Sequence, residues 1–496
     1  QRQMCIRDRI ALGRSPRGAS TFATTMLEPI AEFLRAGAAL ADNDAVPWKT
    51  LVVYLLWAVY LFETYVALRQ YRQYSLPTPP KALVPYVSLD TFAKSQRYGR
   101  DKARTALMAE TIMHIFGLLI IRYEVYARAW SVAGALLAAA HVPVNEMTTS
   151  AVWVVLMSAL REVVGVPLSA YRTFVIEERH GFNKQTPASF VSDTIKEWLV
   201  GMVVGMPLGA LIVWVIRWAG DYFVAYTAVL MLAVILFGSL IYPTLIQPLF
   251  NKLTPLPDGV LRDRVLALAR TLRFPLKHLY VIDGSRRSSH SNAYFYGIVP
   301  GGSKHIGSWL RARKLTTVIY DTLISESTPD EIEAVLAHEL GHWSYSHPTK
   351  LLIVSLTHLV LQLTLFSFFI HNASLYRAFG FGSALLPVVI GLELFQLVLN
   401  PADALTKFAF NAAMRRMEFA ADRYVVAHVS TDTALPRSSR ALARPMRRAR
   451  LAACSSAART PLSTARRWPS GRCASSRLPS RRSTPSRTPS CSRAHL

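Results

Sequence analysis

In the stretch LAHELGHWSYSH (Leu336–His347), His338, Glu339 and His342 stand as H-E-x-x-H. Residues four apart share a helix face, so both imidazoles can aim a ring nitrogen at one ion. Glu339, next to the first imidazole, can reach a water held there. Zinc suits such a set, because a catalytic zinc takes three protein ligands, keeps a fourth position for water and lowers that water's pKa toward neutrality. Glu339 would then take the water's proton as it attacks an amide carbonyl and pass it to the leaving nitrogen. Five residues alone leave a chance occurrence open; a third ligand decides.

The search for that ligand ends at MRRMEFAADRYVVAH (Met414–His428), where Glu418 and Asp422 lie four apart on one helical face. Glu418 can complete a His2Glu set. Asp422 can accept a hydrogen bond from the outer nitrogen of a ligating histidine and fix its tautomer. The competing reading is an exposed charged helix in which Arg415, Arg416 and Arg423 are salt-bridge partners. Gly341 would let another element approach the motif helix closely. Thiolate ligands are excluded from the body of the chain, since Cys5, Cys454, Cys473 and Cys491 all lie near the ends.

The elements that must position these residues are mostly apolar. The 496 residues are 51% apolar and 18% charged, with a mean hydropathy of +0.24. Seven stretches approach the length needed to cross about 30 Å of hydrocarbon as helices. They are Leu51–Leu68, Thr105–Ile121, Ala151–Ala170, Trp198–Trp218, Phe223–Ile246, Leu351–Ile370 and Ala384–Leu399. A soluble protein of this composition would lack the polar surface to cover so many apolar runs. Glu63, Glu110, Arg161, Glu162 and Glu393 fall within these stretches, and charges at membrane depth face a cavity or a bundle interior. A water-accessible chamber is therefore expected.

Basic residues set the orientation. Arg69, Arg72, Lys94, Arg97, Arg100, Lys102 and Arg104 crowd the first connection, and Arg172, Arg179 and Lys184 the third. Both are expected in the cytosol, together with everything between the fifth and sixth stretches. The connection between the sixth and seventh stretches falls on the far side, where Asn372-Ala373-Ser374 reads as a glycosylation sequon.

Residues 251–349 behave as a small domain inserted in the bundle. NKLTPLPDG is turn-rich, LRDRVLALARTLR is an amphipathic helix, and LYVID, AYFYGIV and TTVIYDTLI read as strands. Ser327-Thr328-Pro329-Asp330-Glu331 starts the motif helix, with a cap, a proline in the first turn and acids at the positive dipole end. The organisation expected is a doubtful leader over 1–24, five membrane helices over 25–250, the insert over 251–349, two more membrane helices with the third-ligand segment over 350–429, and an Arg/Ser/Pro-rich tail over 430–496. From Thr431 onward there are fifteen Arg and one acid, Asp432, so +14 of the net +25 lies there. Such a segment cannot bury a core. It reads either as a disordered arm or as the product of a shifted reading frame.

Several long motifs resemble the integral-membrane zinc CaaX prenyl protease family, from the first apolar stretch to about Val426. They are FVIEERHGFNKQT (Phe174–Thr186), QPLFNKLTPLPDG (Gln247–Gly259), GSRRSSHSNAYFYG (Gly284–Gly297), IYDTLI (Ile319–Ile324), HELGHW (His338–Trp343) and MEFAADRY (Met417–Tyr424). The resemblance implies an all-α polytopic fold, a seven-helix transmembrane barrel around a large chamber, with a small α+β metalloprotease domain inserted. It implies an endoplasmic reticulum membrane protein whose metalloprotease domain faces the cytosol. Its activity would be removal of the last three residues of prenylated CaaX proteins, with one zinc per chain. The implied ligands are His338, His342 and Glu418, with Glu339 as base and Asp422 in support. Asn292 and Ala293 match the edge strand that pairs with substrate backbone. The implied partners are prenylated proteins and membrane lipid, not nucleic acid. The rivals are a broader membrane quality-control zinc protease and a non-catalytic membrane scaffold with an RNA-binding tail.

One departure stands out. The family continues past the third ligand with a His and an Arg near the active site, and that pattern is absent after Ser430. His428 and His495, the remaining histidines, lack its context. Loss of an oxyanion donor costs about 10²-fold or more, so reduced turnover is expected of this chain.

Overall fold

The computed structural model describes residues 41–428 except 81–83, 85–86, 297–314 and 383–385, together with 32 and 36–38. The expected leader and the Arg-rich tail, including His495, lie outside the described residues.

The chain runs α1 (Trp48–Gln73), α2 (Leu89–Arg122), α3 (Val125–Ala139), α4 (Glu146–Tyr171), α5 (Pro187–Ala219) and α6 (Phe223–Ile241). The insert follows with β1 (Leu253–Pro255), α7 (Val260–Thr271), β2 (Leu276–Ile282), β3 (Ala293–Tyr296), β4 (Leu315–Tyr320), α8 (Asp321–Glu326) and α9 (Pro329–Ser344). The chain then re-enters the helical body as α10 (His347–Phe366), α11 (Ala373–Ala378) and α12 (Val388–His428).

Among the described residues, six helical runs are long and apolar enough to cross a membrane. The longest, Pro187–Ser239, spans 53 residues and holds two walls, because Gly220, at φ +54°, reverses the chain between α5 and α6. Glycine reaches that region without the penalty a side chain would bring. The seven expected spans are thus α1, α2, α4, α5, α6, α10 and α12. They close a ring. Contacts run from α1 to α2, through the short α3 to α4, on to α5, α6, α10 and α12, and from α12 back to α1. α3 is a 15-residue apolar helix that the span count did not include. At 1.5 Å per residue it is too short to cross, and it packs between α2 and α4.

Polar contacts tie connections together at both ends of the helices. At one end Arg179 Nη1 and His180 Nε2 meet Asp101 at 3.1 and 3.0 Å. At the other, Asn372 Nδ2 donates to the Ala41 carbonyl at 2.8 Å and Ser374 N donates to Asp42.

Two expectations are corrected here. Asn372 is 1% exposed and its Oδ1 accepts from Leu375 N as the cap of α11, so the sequon side chain has no room for a glycan. The third-ligand segment is not separate from the seventh span, because α12 runs unbroken for 41 residues through Pro401.

The described residues of the insert form a four-stranded sheet of order β1-β2-β4-β3 with helices on it. β2 and β4 are parallel, whereas β1 and β3 pair antiparallel with their neighbours. β4 (LTTVIY) is rich in β-branched residues and buried along nearly its whole length, as a central strand must be. The apolar run expected as one strand from Thr316 to Ile324 divides at Asp321, where α8 begins. Thr328 and Glu331 cap α9 reciprocally, with Pro329 in its first turn. Ile332, Leu336 and Leu340, four apart on α9, are buried against Val265 and Leu268 of α7, Ala293 of β3 and Ile319 of β4. That burial fixes the rotation of α9 and so the direction of its other face.

Candidate metal centre

The face of α9 that carries His338 and His342 packs on the last turns of α12. The contact is close because Gly341 has no side chain. A Cβ there would meet Ala421 Cα at 3.1 Å and Tyr424 Cβ at 3.2 Å, so even alanine would push the helices apart. Sequence reading anticipated this approach; the partner is the helix bearing Glu418 and Asp422.

Across the contact, His338 Nε2 lies 3.1 Å from His342 Nε2. Glu418 Oε2 is 3.4 Å from His338 Nε2, and its Oε1 is 3.6 Å from His342 Nε2. Among the described residues these three form the group that could hold a metal ion, with one ligand atom from each within 4.8 Å of the others. A tetrahedral ion with bonds near 2.0–2.1 Å needs its donors about 3.3 Å apart, so the set fits zinc. The outer nitrogens are engaged as well. His338 Nδ1 is 2.9 Å from Asp422 Oδ1, which as a carboxylate can only accept. The Nδ1 hydrogen therefore points at Asp422 and the Nε2 lone pair points inward. His342 Nδ1 faces His347 Nδ1 at 2.9 Å.

Glu339, one residue after His338, borders an apolar recess lined by Leu268, Phe274, Phe295, Thr317, Leu336 and Leu340. Asn292 and Ala293 lie at the start of β3, on the same side of the insert. β3 is the last strand of the sheet on this side, so its outer edge is unpaired among the described strands. Tyr320 N donates to the Asn292 carbonyl at 3.0 Å, which makes Asn292 and Tyr320 a bonded pair. Antiparallel alternation then turns the amide and carbonyl of Ala293 toward the open edge. The Asn292 Oδ1 accepts from that amide at 2.9 Å. Behind β3, burial pushes the Tyr294 phenol up to about 12, and Gln247 Nε2 donates to its oxygen.

Two polar clusters tie the insert to the ring. Arg287 Nε donates to Asp193 Oδ2 at 2.7 Å and its Nη2 to Asp193 Oδ1 at 3.1 Å. This paired carboxylate raises the guanidinium's pKa further. His290 has its Nε2 3.2 Å from Glu177 Oε2, beside Tyr98 and stacked on Phe182. Glu177 closes a π-helical turn at Arg172–Glu177, and with Arg179 and His180, which meet Asp101, it makes an ion-paired helix end. Sequence reading assigned no role to His347, although it ends the stretch that carries the motif. His428, the other histidine past the third-ligand position among the described residues, is the last residue of α12.

A ring of membrane helices bearing an inserted HExxH domain, completed by an acidic residue from a distant helix, defines a polytopic membrane metallopeptidase. Comparison agrees. Residues 70–252 match the family described as CAAX prenyl protease N-terminal, five membrane helices, and residues 255–472 match Peptidase family M48. A CAAX prenyl protease 1 homolog of Arabidopsis thaliana is 39% identical over 384 residues, 77% of this chain and 87% of the relative. CAAX prenyl protease 1 of Saccharomyces cerevisiae is 35% identical over 78% of this chain and 86% of its own length. The crystal structure of S. mikatae Ste24p superposes with a TM-score of 0.71 at 33% identity, over 77% of this chain and 88% of that one. The chain belongs to the CAAX prenyl protease 1 family.

Proposed function

We propose that this protease removes the C-terminal three residues of prenylated CaaX proteins, with one zinc held by His338, His342 and Glu418. The observation that carries the reading is the convergence of two imidazole nitrogens and one carboxylate at 3.1–3.6 Å spacing from helices far apart in sequence. When bound, zinc would supply a polarised carbonyl and a water acidic enough to lose its proton near neutrality.

The chain's own groups do the rest. Glu339 takes the proton of the attacking water and delivers it to the amide nitrogen that leaves. Asp422 holds the His338 ring in one tautomer. The open edge of β3 at Asn292 and Ala293 lays the substrate backbone down as an added strand, its scissile bond beside α9. The Asn292 side chain occupies the Ala293 amide in the absence of substrate and yields it to a substrate carbonyl. A membrane-embedded body suits this substrate, since the prenyl chain stays in an apolar environment while the peptide reaches the metal. Family membership supports the endoplasmic reticulum membrane as the location, and the basic connections at the insert's end support a cytosolic metal centre.

The test is cleavage of a farnesylated CaaX peptide by the detergent-purified chain. A chelator stops the reaction and added zinc restores it. Glu339→Gln lowers turnover by about 10²–10⁴-fold while zinc content stays at one per chain. Unchanged cleavage in that variant overturns the assigned base; cleavage that survives full metal removal overturns the metal reading.

A further inference from the structure

We propose that His347 is the positioning residue of His342: a buried, neutral imidazole that accepts the His342 Nδ1 hydrogen and thereby turns the His342 Nε2 lone pair to the metal. The inference rests on the zinc reading above and extends it to a residue outside H-E-x-x-H.

The geometry begins with a turn. α9 ends at Ser344 and α10 starts at His347, leaving only Tyr345 and Ser346 between them. Ser346 lies in the left-handed region at φ +56°, which a residue with a Cβ seldom adopts. This reversal returns His347 to a ring it could not reach by continuing the helix. The two Nδ1 atoms stand 2.9 Å apart, with ring centroids at 5.0 Å and planes inclined by 69°. His347 is 4% exposed. The Tyr345 ring lies over it at 5.7 Å, and that ring packs edge-on against Tyr424 of α12. The imidazole is therefore held between His342 of α9 and the Tyr345 ring, which is itself braced on α12.

The direction of the hydrogen follows from the far side of the His342 ring. Its Nε2 faces His338 Nε2 and the Glu418 carboxylate, and a ligating nitrogen must offer a lone pair. The His342 hydrogen then sits on Nδ1 and needs an acceptor. The atom at hydrogen-bond distance is His347 Nδ1, which accepts only as a neutral ring protonated at Nε2. The two ligand histidines thus have unlike supports: a carboxylate, Asp422, behind His338 and a neutral imidazole behind His342. Charge explains the choice. Glu339, Glu418 and Asp422 already bring three carboxylates to the centre, and an imidazole orients His342 without adding a fourth.

The experiment compares three variants of the full chain in detergent, reading zinc affinity by competition with a chromophoric chelator and ligand geometry by the visible absorption of the cobalt-substituted protein. His347→Leu removes the acceptor at similar volume, and His347→Ala removes it with less steric demand should the leucine variant fail to accumulate. His347→Asn keeps an acceptor, because its Oδ1 falls where Nδ1 was. Expected are a 10–100-fold loss of zinc affinity in the leucine or alanine variant, an altered cobalt spectrum, and recovery of both in the asparagine variant. Unaltered affinity and spectrum in His347→Leu, or equal losses in all three variants, overturn the inference and reduce His347 to a packing residue. If the unaltered chain itself binds no zinc, the metal reading and this one fall together. If it binds zinc and cleaves peptide while His347→Leu matches it, only this one falls.

Discussion

In the insert, β4 and the inner face of α9 are sealed: Val318, Ile319 and Ala337 are 0% exposed and Ile332 is 1% exposed. In the ring, only 6–17% of an 18-residue apolar window is buried in five of the candidate spans, and 28% of such a window in α12. Val203 on α5 is 71% exposed and Val229 on α6 is 68% exposed. Each wall touches its neighbours and leaves its other faces uncovered. The uncovered faces are not uniformly apolar: Lys407 Nζ on α12 stands 3.5 Å from Glu63 Oε1 on α1, and Gln362 on α10 donates to Asp403 on α12 at 3.0 Å. Such pairs at membrane depth belong beside water. The difference teaches where accuracy is needed. Metal donors must be held to a few tenths of an ångström, so the insert is a packed core; the walls of the ring, which hold no such donors apart from Glu418 on α12, meet only at their flanks.

The largest effect that separates the two regions is a cavity in the insert. Leu340→Ala removes a side chain that is 6% exposed and packs behind the motif face of α9. The expected cost is about 2–5 kcal/mol, read by denaturant unfolding in detergent, with zinc affinity falling alongside because α9 loses its fixed rotation. If stability drops but zinc affinity does not, the sealed core is not what aims the histidines.

Much of this contrast is legible in the sequence, for physical reasons. Spans declare themselves by length and apolarity, and α9 by its cap, its proline and its four-residue spacing of Ile332, Leu336 and Leu340. Glu418 and Asp422 were legible because a His2Glu site needs an acid on a second element and the helical period puts two on one face. His347 was not, since helical periodicity places it off the motif face and only the left-handed turn at Ser346 brings it back. The continuity of α12 was hidden by Pro401, which sequence rules read as a stop but which a long helix accommodates. β1 was hidden within a turn-rich run, because three residues are too few to show alternation. The burial of Asn372 was beyond any triplet motif, for it depends on contact with Ala41 and Asp42 more than 300 positions away.

A smaller effect is expected at the joint between the regions. Asp193 is 8% exposed on α5 and Arg287 reaches it from the insert, donating also to Asn251 Oδ1 at 2.8 Å. Arg287→Met leaves the carboxylate buried without its cation, at an expected cost of about 3 kcal/mol. Adding Asp193→Leu removes the stranded charge and restores most of the loss, a coupling that a double-mutant cycle measures directly. Should the single variant unfold no more readily than the unaltered chain, the insert is held to the ring by its apolar contacts and the ion pair is incidental.

The smallest effect tests the ring itself. Val203→Ala deletes two methyl groups from a side chain that the ring does not cover. Were Val203 covered by a neighbouring helix, the change would cost about as much as other buried truncations, 2 kcal/mol or more. In a ring whose walls meet only at their flanks, the alanine side chain contacts the same lipid or water as the valine did, and the shift is expected below about 0.5 kcal/mol. The same truncation at Val318, in the centre of β4, supplies the internal standard, because it changes the same atoms in a site that is 0% exposed. A ratio near one between the two losses would mean that α5 is covered at Val203 by something the ring geometry does not provide. A large ratio ties the looseness of the walls to their geometry, since residue type, substitution and method are held constant.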